Sequence, residues 1–384
     1  MAIYQFILTP LDKFYFGKEK HPIRPSYFME SNPFPQQTGI LGLIRHYLLL
    51  ATGKIDIKDD WDNLIGIKSF DGSKNQIFGK INKVYPLFIY KEDEQKVLLP
   101  FKDLSNLVNT NISDINVSFN NIDVSQLNTI SSVINSVKLS EQLNMKEHFF
   151  NDCFIPSNYS KPVAMICKKE IFSTANFFDQ KTKKLNINNG IFIKHLQPGI
   201  LKNYNASSQD DAYFKTQYYK LNRNYHFSFL ADIDELLDDS KNIFITFGGE
   251  ASSYKVSIKK ENIPDVNLFT SQIEGGNIVH FISDTILSHS AYRNIAQFVG
   301  TTQHFRSMKT DAKNNLNDLF NLKKGNADIF SDSKLLIKKG SIAFINPVKL
   351  LEFINTINED QINKTYKKIG YNYFKQLNTL KNEQ

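Results

Sequence analysis

Residues 224–234, "NYHFSFLADID", and 242–260, "NIFITFGGEASSYKVSIKK", decide the fold class of this chain. In the first segment Tyr225, Phe227, Phe229, Ala231 and Ile233 fall on one side of an extended chain, the period-2 signature of a half-buried strand. The second reads as a hairpin around Gly248-Gly249. Its return strand carries Tyr254, Val256 and Ile258 on one face and Ser253, Lys255, Ser257 and Lys259 on the other. Between them "ELLDDSK" (235–241) is a short helix or a turn.

Further strands follow the same logic. "AIYQFILT" is a buried strand stopped by Pro10, and residues 77–90 and 96–101 flank the acidic turn "KEDEQ" as a strand pair. "NIVHFISD" (277–284) and "GSIAFIN" (340–346) complete the set. Helical periodicity is strongest in "NPFPQQTGILGLIRHYLLL" (32–50). There Pro33 and Pro35 hold the approach extended, Thr38 is placed to cap, and Ile40, Ile44, Tyr47, Leu48 and Ala51 form one apolar arc. Strands with one or two helices in each half give an α+β fold. Length suggests two domains, and the Pro-containing segment 151–170 places the division at 1–165 and 166–384. The polar, basic stretch 303–334 reads as an insert in the second, and 127–143 has patchy helical periodicity.

Two glycines inside the helix, Gly39 and Gly42, each cost about 1 kcal/mol relative to alanine. With Arg45 they recur at i, i+3, i+6 along the edge away from the apolar arc. Two readings stand open: close packing with Arg45 solvated, or a bare stripe near a helix N-terminus that suits phosphate.

Composition narrows the classes. The chain has 41% hydrophobic and 22% charged residues, as a globular protein does. No apolar run is long enough for a membrane span, and the N-terminus lacks a secretory signal, so the expected location is cytoplasmic. Cys153 and Cys167 show no partner spacing for a disulfide scaffold or zinc site. The net charge of +7 favours an acidic partner. Nearly all of it is lysine. The arginines Arg24, Arg45, Arg223, Arg293 and Arg306 are the candidates for bidentate phosphate or base contacts.

Several features occur in a fixed order: "LTPLDKFYFGK" (8–18), "PFPQQTGILGLIR" (33–45), "DDAYFKTQYYKLNRNYHFSFLADI" (210–233), "FGGEASSYKV" (247–256), a long polar insert, "IKKGSIAFIN" (337–346) and "GYNYF" (370–374). Over most of the chain this series resembles the RAMP superfamily, and within it the subunit-three family of the type III-B CRISPR (Cmr) effector complexes. The resemblance implies two ferredoxin-like (RRM-like) domains, no catalytic activity of its own, and no cofactor. It implies binding of the 5′ repeat-derived handle of the crRNA, docking against the large polymerase/cyclase-like subunit and the backbone RAMP subunits, and only indirect contact with target RNA.

Carried onto this sequence, the resemblance puts Gln37, Thr38 and Gly39 against the handle with Arg45 nearby. It adds Gly248, Gly249, Ser253 and Lys255 on the hairpin, Lys18, Lys20, His21 and Arg24 in the preceding loop, and Arg293 and Arg306. Two positions depart from the family pattern. Asn372 stands where a second glycine is common, and after Gly248-Gly249-Glu250 the nearest basic residue is Lys255. Asn tolerates the left-handed conformation, so a similar turn is expected. Tyr27, Phe28 and Tyr254 neighbour the basic and glycine-rich segments and are candidates for stacking on bases or for the core.

Two enzymatic readings compete. A nucleotidyl cyclase or polymerase would use Asp232 and Asp234 with Glu250 to hold two metal ions about 4 Å apart, but a second acidic residue after the glycines is missing. A crRNA-processing endoribonuclease would use His21, His46, His289 or His304 as general base, and none has a paired acid or base nearby in sequence.

Overall fold

The structure is a computed structural model. It describes residues 2–17, 27–66, 70–72, 76–102, 121–123, 147–150, 153–156, 163–167, 170–175, 184–188, 190–202, 208–250, 252–269, 278–288, 291, 294–305, 334–345 and 347–377.

The largest sheet begins at β15 (Ile243–Thr246), β16 (Ser253–Lys259), β1 (Ala2–Pro10), β14 (Tyr225–Ile233) and β4 (Phe88–Lys91). It continues through β5 (Lys96–Lys102), β10 (Glu170–Thr174), β11 (Lys184–Asn188) and β6 (Asn121–Asp123), with β3 (Ile81–Val84) also paired to β14. A small sheet runs β12 (Phe192–Lys202), β13 (Ser208–Leu221), β2 (Tyr27–Met29). A seven-stranded sheet runs β23 (Phe374–Leu377), β17 (Ile278–Phe281), β22 (Ile342–Ile345), β19 (Ile295–Gly300), β9 (Val163–Cys167), β8 (Cys153–Pro156), β7 (Glu147–Phe150). The last is β18 (Thr285–Ile286), β21 (Lys334–Ile337), β20 (Thr302–Phe305). Among the described residues the α-helices are α1 (Gln37–Ala51), α2 (Trp61–Leu64), α3 (Leu350–Glu359) and α4 (Gln361–Lys368).

The pairing itself yields two ferredoxin-like units. In the first, β1 lies between β16 and β14, and β14 pairs next with β4, all antiparallel. With α1 following β1, this is the spatial order 4-1-3-2 of a ferredoxin-like sheet. In the second, β17 lies between β23 and β22, and β22 pairs with β19, again all antiparallel and again in the order 4-1-3-2. The fold is α+β, as the alternation patterns predict.

The division expected at 165/166 does not follow the hydrogen bonding. β14 and β16, placed by sequence in the second domain, are the two neighbours of β1, while the four-strand core of the second unit begins only at β17. Prolines mark loops locally, whereas strand partners are chosen by burial across hundreds of residues. Cys153 and Cys167, without a spacing signal, are register partners on β8 and β9.

Apolar alternation sets the layers. Tyr4, Phe6 and Leu8 of β1, Phe227, Phe229 and Ala231 of β14, and Tyr254, Val256 and Ile258 of β16 form one core with α1. The opposite face, with Ile7, Phe88, Tyr90, Leu99, Phe101 and Leu230, closes on Ile278, Ile342 and Phe344 of the second sheet and on Tyr373 just before β23. Val279, Phe281, Ala343 and Ile345 then meet Phe353, Ile354 and Ile357 of α3. The chain is therefore layered helix, sheet, sheet, helix. The central strands, covered on both faces, read as continuous apolar runs.

Two expectations for α1 need correction. Ala51 is exposed, whereas Leu41, Leu43 and Leu49 are buried, because Leu64, Ile65, Phe70, Phe78 and Tyr366 join the same core around the helix. Thr38 is not the cap: Gln36 occupies that position with no side-chain capping bond. Residues 235–241 form a turn, not a helix. Segment 127–143 lies outside the described residues, as does most of the 303–334 insert.

Candidate nucleic-acid interface

The start of α1 and the Gly248 hairpin adjoin. A Cβ built on Gly39 would stand 3.3 Å from Cε2 of Phe247, the residue immediately before the hairpin turn. Gly39 is thus explained by packing. Gly42, one turn on, is exposed and has nothing within 4 Å. Among the described residues no contact requires it.

The turn is built on the strand-like segment after β1. Gly248 has φ +84, and a Cβ there would meet the Tyr15 carbonyl at 2.8 Å and the Phe16 ring at 2.9 Å. The Gly249 amide donates to that carbonyl at 2.9 Å, the Phe247 amide to the Ser252 carbonyl at 2.8 Å, and the Ser252 hydroxyl to the Gly249 carbonyl at 3.1 Å. Glu250 is exposed at φ +57. Its carboxylate adds to burial in raising the pKa values of Tyr15 and Tyr218. A cleft of ≈370 Å³ opens beside this turn, lined by Lys13, Gln197, Tyr218, Glu250, Ser252 and Ser253. Lys13 donates to the Gln197 side-chain oxygen and sits 4.7 Å from the Tyr218 ring centroid. β16 alternates as predicted: Ser253 is exposed and Lys255 half-buried on the face opposite Tyr254 and Val256.

The N-terminal end of α1 is closed by the chain itself. Burial pushes the Tyr371 phenol strongly upward, while the Thr38 hydroxyl and amide stabilise its oxygen. The Tyr371 hydroxyl in turn donates to Gln36 Oε1 at 3.4 Å. The Gly39 and Ile40 amides both return to the Gln36 carbonyl. Gln37 is buried, with Nε2 donating to the Tyr85 carbonyl at 2.9 Å. Gly370, at φ +97, makes room for that side chain: a Cβ there would stand 2.1 Å from Gln37 Nε2. The stretch 370–374 thus caps α1 in place of a phosphate. Asn372 adopts φ +62, the left-handed turn expected of it, with its Oδ1 accepting the Ile286 amide at 2.7 Å. The surface left to a ligand at this end is Thr38, Gly39 and Gly42, not the amides.

Arg45 is half-buried beside the loop before β3. Its Nη2 donates to the Ile77 carbonyl at 3.5 Å, and burial lowers its pKa to about 10. It braces the loop before β3. Tyr254 is fully buried in the core and offers no stacking face, whereas Phe28 is 49% exposed. Lys18, Lys20, His21, Arg24, Arg293, Arg306, His289 and the Tyr27 and His304 side chains lie outside the described residues.

Strand register separates the carboxylates that the cyclase reading needs. Asp232 pairs with Ile3 at one end of β1, and the hairpin joins at Pro10↔Tyr254 at the other. Seven residues of strand are roughly 23 Å, far beyond a two-metal cluster. Among the described residues no group of three or more His, Cys, Asp or Glu could hold a metal ion, and no helix is long and apolar enough to cross a membrane.

Sequence reasoning singled out the stretch 370–374 but not the closure of α1 by Tyr371 and Gly370, and it missed Phe244. The first two come close to α1 only through the final strand. Phe244 reads as one more apolar residue in "NIFITF", yet is 64% exposed.

Among proteins of curated function none matches the chain. It is similar to a chain in the cryo-EM structure of the type III-B Cmr-beta complex bound to cognate target RNA and AMPPnP, at 14% identity and TM-score 0.47. That match covers 97% of this chain and 99% of the other. A chain of the same complex bound to cognate target RNA alone gives 15% identity, TM-score 0.47, and coverage of 97% and 96%. One from the apo state gives 10%, 0.28, and coverage of 68% and 98%. Residues 6–289, well over half of the sequence, match the profile of the CRISPR-associated protein (Cas_Cmr3) family. The chain belongs to that family.

Proposed function

We propose that the chain is a non-catalytic, RNA-binding subunit of a type III-B CRISPR (Cmr) interference complex. It holds the 5′ repeat-derived handle of the crRNA and bridges the large polymerase/cyclase-like subunit to the backbone RAMP subunits in antiviral defence. Family membership supports the assembly. The observation that carries the RNA reading is the contact of Gly39 with Phe247, which sets Thr38, Gly39 and Gly42 beside the turn Gly248–Ser253, with Lys255 following on the other face of the same sheet edge. Main chain without side chains, hydroxyls and a lysine make a surface that a single-stranded ribose-phosphate chain can approach closely. The loop containing Lys18, Lys20, His21 and Arg24, together with Arg293 and Arg306, supplies further phosphate contacts.

The test is guide retention by the assembled complex as a function of salt. Lys255→Ala should weaken retention and reduce the slope of log K against log salt by about 0.7, the value for one phosphate contact on a single strand. Ser253→Glu should weaken it further by repulsion. Unchanged retention and slope in both variants, with assembly intact, sinks the assignment of this surface.

A further inference from the structure

We infer that Phe244 is a stacking platform for one unpaired base of the bound RNA, an inference that rests on the RNA-binding reading above. Phe244 lies in the middle of the edge strand β15 and is 64% exposed. Its neighbours Ile243 and Ile245 point to the core side, so the ring stands on the other face of the sheet. Farther along, that face is closed by the second sheet and by residues 263–268, which cover Ile7 and Phe88. Among the described residues nothing closes it at the β15–β16 end, where Phe244 and Thr246 are exposed.

What surrounds the ring selects the partner. Lys255 is its cross-strand register partner on β16. The other positions of this face on β15 and β16 are Thr246, Ser253, Ser257 and Lys259, all exposed or half-buried. A face that docked protein would present a contiguous apolar patch. Here a single aromatic ring is set among lysines and hydroxyls, the combination that binds single-stranded nucleic acid: stacking for the base, ammonium groups for the phosphates. Two-residue steps along the strand put Phe244 roughly 13 Å from the Gly248 turn. One or two extended nucleotides span that distance. The RNA that meets the turn therefore continues along β15–β16, with one base on Phe244 and its phosphates at Lys255 and Lys259.

Phe244→Ala, Phe244→Leu and Phe244→Trp in the assembled complex with its guide RNA separate the possibilities, since an exposed strand residue tolerates all three. Ala and Leu should each weaken guide retention about 5- to 150-fold, the range of one lost base–aromatic stack, without altering the salt slope. Trp should retain the guide as the parent does. Retention by the Leu variant equal to that of the parent overturns the inference, as does loss of subunit assembly with guide affinity unchanged, which would make the ring a protein contact. If Phe244 variants are silent while Lys255→Ala weakens binding, only this inference fails. If both are silent, the RNA reading of the surface fails with it.

Discussion

Gly39 and Gly42 look alike in the sequence, three residues apart on one helix edge, and the structure separates them. Gly39 admits the Phe247 ring, and Gly42 faces open space. Gly42→Ala should therefore stabilise the chain by up to about 1 kcal/mol, read as an upward shift in urea or thermal midpoint. Gly39→Ala should gain less, because its new methyl must displace the Phe247 ring by a few tenths of an ångström. If Gly42 serves a ligand, the stabilised Gly42→Ala complex will hold its guide less well than the parent. Retention equal to the parent's would leave this glycine without a role. The sequence could not distinguish the two residues, since Phe247 reaches α1 only through strand pairing.

At the scale of the element, α1 shows what local signals can and cannot convey. Its existence, its start after Pro35 and the centre of its apolar arc, Ile40, Ile44, Tyr47 and Leu48, were legible from periodicity and proline chemistry. Its cap was not. Thr38 has the chemistry of a cap but sits inside the first turn, and Tyr371 closes the end instead. Tyr371→Phe keeps the buried ring and removes only the hydroxyl, so it should cost about 1 kcal/mol in chemical denaturation. A loss below a few tenths would mean that the hydroxyl contributes nothing to the cap. Likewise the hairpin "FGGEASSYKV" was readable residue by residue, including which β16 side chains face outward. Its docking against Tyr15 and Phe16 was not, because the two segments are distant in sequence and share no pattern.

Across the whole molecule, two sheets close on one core, and His280 lies within it. The His280 Nε2–H donates to the Pro100 carbonyl at 2.9 Å, joining β17 to β5, and burial depresses its pKa to about 3. The native state thus keeps this ring neutral. Above the unfolded value near 6.5 this histidine costs nothing. As pH falls below it, the unfolded chain takes up a proton that the native state refuses. Stability should then drop by roughly 2 kcal/mol between pH 6.5 and pH 5 from this group alone, with burial of His226 acting in the same direction. Urea unfolding of the parent and of His280→Gln at both pH values checks this, since the variant should show the shallower dependence. Equal dependence would place the titrating groups elsewhere. The two-sheet plan itself was only half readable: the strands announced themselves, but the partition did not. β14 and β16 return to β1 across the long segment between β5 and β14, and no composition shift marks that return.

The Tyr371–Gln36 hydrogen bond spans 335 residues of sequence, and the Gln5–Ser228 bond between β1 and β14 spans 223. On a ribosome adding about 5–20 residues per second, β1 waits more than ten seconds for its first neighbour. The helix behind it waits roughly 20 to 70 s for its cap. During that interval the nascent chain exposes an apolar strand with both edges free and a helix whose end is open. A segment made more than three hundred residues later is the one that seals α1. Any partner that docks beside α1 therefore meets a finished surface only after Tyr371 has been made and has reached it.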